Sequence, residues 1–159
     1  MKWKYLPPML LIILSYLVIS PFLGMYIFTH DFGMLLFEHI FNPALIVFLA
    51  VLILNPFWAL LTPWESAELA RWNLLLKVLL IPFYVFTFVF GIGVPLAIVF
   101  LFLIDAILMV TTSTYGLRAT VQAKKEGRIS KAMCIILFLC HFFFIADVGA
   151  AFVLKQRIK

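Results

Sequence analysis

Residues 132–154 read AMCIILFLCHFFFIADVGAAFVL, an apolar run whose only charge is Asp147. A membrane-crossing helix needs roughly 20 mostly apolar residues, so this stretch reads as a span. It holds no Gly or Pro break that would let it turn back. The rest of the chain has the same character. Of 159 residues 66% are apolar and 12% charged, against about 45–50% and about 25% in soluble domains. A soluble fold of this size keeps too much surface exposed to hide that content. The solvent for much of the chain is therefore lipid.

Five such runs are predicted, at about 5–28, 42–61, 74–90, 96–117 and 132–154. They form one all-α polytopic membrane helix bundle over 1–159. The basic, apolar N-terminus resembles a signal peptide, but its apolar stretch continues past Pro21 with no small-x-small cleavage site, so it reads as a retained first span. Asn42-Pro43 gives the second run a cap followed by Pro at the first helical position. In TPWESAELARWN, Thr62 and Glu65 have capping-box spacing, with Pro63 at the first helical position. The third span is thus expected to be preceded by an amphipathic interfacial turn that starts at Thr62 and carries Glu65, Glu68 and Arg71. GIGVP at 91–95 reads as a tight turn, RATVQAKKEGRISK at 118–131 as a polar loop, and 32–41 as a short interfacial or re-entrant helix.

The net charge of +5 is no nucleic-acid signal, because Lys and Arg cluster at the ends of apolar runs, as membrane flanks do. Loop 118–131 holds five of them, which sets it in the cytoplasm. The N-terminus with Lys2 and Lys4 then also lies inside a cell-membrane, multi-pass protein. One group breaks the rule: with five spans, Lys155, Arg157 and Lys159 fall outside. Trp3, Tyr5, Trp58, Trp64, Trp72 and Tyr115 mark the inner boundary. Cys134 and Cys140, six residues apart on one helix, point to different faces and read as buried packing residues.

Two carboxylates sit deep in the apolar runs. An ionised Asp at a helix centre costs roughly 2.5–3.5 kcal/mol on insertion scales. At 1.5 Å per residue Asp105 lies roughly 16 Å, and Asp147 roughly 11 Å, from the outer ends of their spans. The two can meet at similar depth, with Thr112 on the Asp105 face. Close carboxylates repel, so one of the pair can hold a proton at neutral pH. Lys77 is a possible counter-ion, helped by Asn73 on its face, although it can also snorkel to the boundary. His30, Asp31, Glu38 and His39 are metal-binding residue types with no familiar motif. His141 alone gives no haem pocket, and no cofactor or catalytic residue is expected. TTSTYG at 111–116 lacks a pore-loop context; its hydroxyls are expected to bond back to their own helix.

ELARWNLLLKVLLIPFYVF at 68–86 and HFFFIADV at 141–148 resemble small, uncharacterised multi-span membrane proteins of Gram-positive bacteria. The likeness covers the last ninety or so residues and implies no activity. The expected function is handling of a cation or proton through the paired carboxylates Asp105 and Asp147. The alternative is a non-catalytic accessory or immunity-type protein that docks on a larger membrane complex. The bilayer is the expected partner, together with a second copy or that larger complex.

Overall fold

Caps and helix-breaking residues divide the chain into helices much as the apolar runs suggest, except at the C-terminal end. The computed structural model describes residues 2–27, 39, 42–93, 95–141 and 144–158. Among these the secondary structure is helical throughout. After a 3-10 turn at Lys2–Tyr5 come α1 (Leu6–Ile27), α2 (Asn42–Leu61), α3 (Ser66–Gly93), α4 (Pro95–Lys125), α5 (Lys131–Cys140) and α6 (Phe144–Arg157). The interfacial helix expected within 32–41 lies outside the described residues. The chain divides into two compact units, Met1–Asn55 and Pro56–Lys159, with the boundary inside α2.

In the first unit, Pro7 and Pro8 occupy the first turn of α1, where their missing N–H groups cost nothing. Asn55 donates its amide to the Pro7 carbonyl at 2.9 Å, which ties the two ends of the unit together. Buried Ser15 donates to the Leu11 carbonyl of its own helix at 2.7 Å, so its hydroxyl is satisfied without a partner helix.

In the second unit α3 and α4, about 42 and 46 Å long at helical rise, pack along their lengths. The α3 cap lies one turn later than the sequence suggests. The Glu65 N–H donates to the Glu68 carboxylate at 3.4 Å, the reciprocal half of a capping box, and the helix begins at Ser66 rather than Thr62. Its first turns are amphipathic: Glu65 and Arg71 are exposed, Leu69 and Ala70 buried. Beyond them Leu76, Leu80 and Phe83 continue a buried face, at the spacing of one helical side. The opposite faces of both helices expose large apolar side chains such as Phe88, Val99 and Phe102. Four helices of the described chain are long and apolar enough to cross a membrane: they lie at Trp3–Ser20, Pro43–Leu61, Ser66–Gly93 and Leu101–Lys125.

The predicted polar loop at 118–131 is mostly helix, because α4 continues to Lys125. It ends in a Schellman motif. Gly127 has φ of +72°, the Arg128 N–H donates to the Ala123 carbonyl at 2.9 Å and the Gly127 N–H to the Lys124 carbonyl at 3.0 Å. Ser130 then caps α5, its hydroxyl accepting from the Met133 N–H at 3.2 Å.

The run expected as a fifth span holds two short helices among the described residues, and five spans are not confirmed. At 10 residues, α5 covers about 15 Å, half a hydrocarbon core of about 30 Å. The helix stops at His141, and α6 runs back. Arg128, in the loop before α5, donates to the carbonyl of Ile158, just beyond α6, at 3.1 Å. Residues 131–158 are thus a helical hairpin that starts and ends at one end of the unit. Its reason lies in His141 and Asp147. On one continuous helix, residues six apart point to different faces and are separated by about 9 Å of rise. Both would then be polar groups in lipid without each other. The turn brings them together (below). It also brings Lys155 and Arg157 to the end that holds Arg128 and Lys131. Cys134 and Cys140 are free thiols, half-buried rather than buried.

In a variant without native cysteines, Cys introduced at Gly127 and at Gln156, both exposed, should be labelled by a membrane-impermeant maleimide from the same face of sealed vesicles. Labelling from opposite faces would restore a single crossing helix.

Candidate functional site: a buried Lys–Asp–His cluster

The hairpin tip meets the middle of the α3–α4 pair. Lys77 comes from α3, Ser113 from α4, His141 from the end of α5 and Asp147 from the first turn of α6. Each lies about 15–18 Å from the polar end of its helix at 1.5 Å per residue. All four are buried, with exposures of 4% for Lys77 and Ser113 and 2% for His141 and Asp147.

Asp147 is the hub. Its Oδ2 forms an ion pair with Lys77 Nζ, and its Oδ1 faces His141 Nδ1. Ser113 Oγ lies 3.0 Å from Oδ2 and 3.2 Å from the His141 carbonyl, and accepts from Lys77 Nζ at 3.2 Å. Placement in the first turn of α6 also sets the carboxylate against the positive end of a helix dipole. A buried charge of this kind is tolerated only when paired and hydrogen-bonded, and here both oxygens are engaged. With Nδ1–H donated to Asp147, a neutral His141 presents Nε2 as an acceptor.

Nε2 is buried with no hydrogen-bond partner among the described residues, as are both amide atoms of Asn73. The two side chains converge over Gly116. A Cβ there would lie 2.6 Å from His141 Nε2 and 2.7 Å from Asn73 Nδ2, so only glycine admits both at this point. Beside Asp147 is a cavity of about 10 Å³ lined by Lys77, Tyr84, Met109, Thr112, Asp147 and Val148. Such a space admits about one water molecule. Thr112 donates to the Met109 carbonyl at 3.1 Å. Tyr84 hydrogen-bonds to Thr112 and is near enough to Asp105 and Asp147 to feel both charges.

The sequence-predicted residues are thus divided. Lys77 does not snorkel; it turns inward to Asp147. Asn73 sits beside His141 rather than beside Lys77's ion pair. Asp105 is half-buried and accepts from Thr87 Oγ1 at 2.7 Å, so each carboxylate has partners of its own. Of the outer metal-type residues, His30, Asp31 and Glu38 lie outside the described residues, and His39 is exposed. Among the described residues no three or more His, Cys, Asp or Glu side chains gather as metal ligands.

Sequence reasoning placed Gly116 on the interior face with Asp105 and Thr112, but missed Ser113 and set His141 aside. Thr112 and Thr114 bond back to their own helix, as expected of TTSTYG, while Ser113 between them faces the cluster. A usable signal was present on α3, where Ser66, Asn73, Lys77, Tyr84 and Thr87 recur at spacings of seven, four, seven and three. That is one helix face, and a polar face in an apolar helix points inward.

These features define the class: an all-helical protein with four helices suited to cross a membrane and a buried ion-pair cluster between helices. The chain belongs to a family of unknown function, DUF6652, which matches residues 4–159. Among curated proteins and solved structures none matches.

Removing one member of a buried pair costs about 3–5 kcal/mol, because it strands the other charge, whereas an apolar replacement of both is often neutral. Asp147→Leu should therefore lower the thermal midpoint in detergent strongly, and Lys77→Met with Asp147→Leu should recover most of the loss. Gly116→Ala should cost about 1–3 kcal/mol in the same measurement, as an overpacked core does.

Proposed function

We propose that this is a cell-membrane protein that binds and relays a proton at the Lys77–Asp147–His141 cluster. One observation carries the reading: a single buried carboxylate is shared by an ammonium and an imidazole. That arrangement suits a proton better than a metal cation. The Lys77 ammonium already fills the place a cation would take, and no second carboxylate joins Asp147 there. An imidazole, by contrast, can take a proton on one nitrogen and release another from the second.

The step balances without a co-reactant. A proton arriving at Nε2 gives an imidazolium with Nδ1–H toward Asp147. Transfer of that proton to Oδ1 leaves a neutral ring, now protonated on Nε2, and a neutral carboxyl group beside Lys77. The small cavity toward Tyr84 and Thr112 offers the carboxyl proton an exit. The ring resets by rotation: with Nδ1 turned to the entry side it takes a second proton there and gives the Nε2 proton to Asp147, and the reverse rotation restores the starting tautomer. Lys77 and Ser113 keep Asp147 in place through the cycle, and Tyr84 is the remaining titratable group that faces it.

In the proposed topology the N-terminus is cytoplasmic, four helices cross and the α5–α6 hairpin is re-entrant. Counting spans, Lys2, Lys4, Arg71 and every Lys and Arg from Arg118 onward then lie on the inner side, in agreement with the positive-inside rule. Lys77 alone is left within the bilayer, where it faces Asp147. Re-entrant backbone at membrane depth is allowed where protein covers it, and His141 is buried.

The test is proton flux into vesicles containing purified protein and a trapped pH dye, driven by a potassium diffusion potential. The parent should exceed empty vesicles, and Asp147→Asn and His141→Gln should each lower the rate by more than about tenfold. Asp105→Asn should keep most of it. A parent no faster than empty vesicles, or folded variants as fast as the parent, would overturn the reading.

A further inference from the structure

The basic end of the second unit has a feature that the proton cluster does not use. On α4, Arg118, Val121, Gln122 and Lys125 follow i, i+3, i+4, i+7 spacing and share one face. With Trp64, from the turn before α3, they line a cavity of about 360 Å³, within the size range of ligand sites. Its walls are fixed. Arg118 Nη1 donates to the Ala59 carbonyl, and Gln122 Nε2 donates to the Trp64 carbonyl at 2.9 Å. The Trp64 ring stands edge-on to buried Tyr115, with centroids 6.1 Å apart.

The chemistry of the lining is one-sided. It holds two cations and no acid. A guanidinium has five N–H donors, of which the bond to Ala59 uses one. Lys125 is the last residue of α4 and Arg118 lies two turns before it, so the cavity sits where a membrane helix leaves the hydrocarbon. Trp64 and exposed Val121 add apolar surface beside the cations.

We propose that this cavity binds the phosphate of an anionic phospholipid headgroup, with Arg118 and Lys125 on the phosphate oxygens. Arg presents paired donors in the geometry phosphate accepts, and basic pockets between helices at this depth hold acidic headgroups. Trp64 and Val121 face the first carbons of the lipid, a contact that free phosphate cannot make.

The full-length chain, purified in mild detergent and incubated with equal phosphatidylglycerol and phosphatidylcholine, is examined by native mass spectrometry. The parent should retain one phosphatidylglycerol with about tenfold preference. Arg118→Gln with Lys125→Gln should bring the two lipids to parity. Lys125→Gln alone, which leaves the Ala59 bond intact, should weaken the preference by roughly threefold. Lys155→Gln with Arg157→Gln removes equal charge elsewhere and should leave it unchanged. Equal loss in both double variants would mean diffuse charge attraction only and overturn the site. Displacement of the lipid by millimolar inorganic phosphate would assign the cavity to a free anion instead, and overturn the lipid.

Discussion

The shared carboxylate of Asp147 is the constraint on which the C-terminal half of this protein depends. Lipid offers no water to satisfy a buried ion, so the charge must find its partners within the chain. Lys77 supplies the opposite charge, and Ser113 and His141 complete the hydrogen bonds. Three helices and a helix turn must converge on one point for this to happen. The packing of α6 against both α3 and α4 follows from that requirement as much as from apolar contact, because apolar side chains gain little by leaving lipid for one another.

The same constraint explains the hairpin. A straight helix over 132–154 would satisfy the hydrophobic length rule but would leave His141 and Asp147 on separate faces. The broken form gives up one long continuous helix. In return it buries both polar groups against each other and against Lys77. It also gathers the terminal cations at the end where Arg128 binds the Ile158 carbonyl. Charge distribution and polar burial therefore favour the same topology, by independent physical terms.

Close approach is the second requirement. Gly116 stands where the His141 ring and the Asn73 amide converge, and no other residue leaves room for them. The small cavity lined by Tyr84 and Thr112 also reaches Lys77 and Asp147. Asp105, bonded to Thr87 farther along α4, belongs to the same polar seam but not to the cluster.

Composition and apolar run length alone determined that the chain is helical and suited to lipid, since no other solvent accommodates so much apolar surface. Punctuation by Pro, Ser and Gly set most helix ends, though the α3 cap moved from Thr62 to Glu65, because Glu68 as well as Glu65 has box spacing with a residue three before it. The presence of ionisable residues at 77, 105 and 147 within the apolar runs was equally legible. Their pairing was not. Which of Asp105 and Asp147 meets Lys77 depends on a turn at His141 that has neither Gly nor Pro to announce it. Hydropathy sums residues one at a time, whereas burial of a charge is decided by the groups that surround it, and only the tertiary structure brings those groups together.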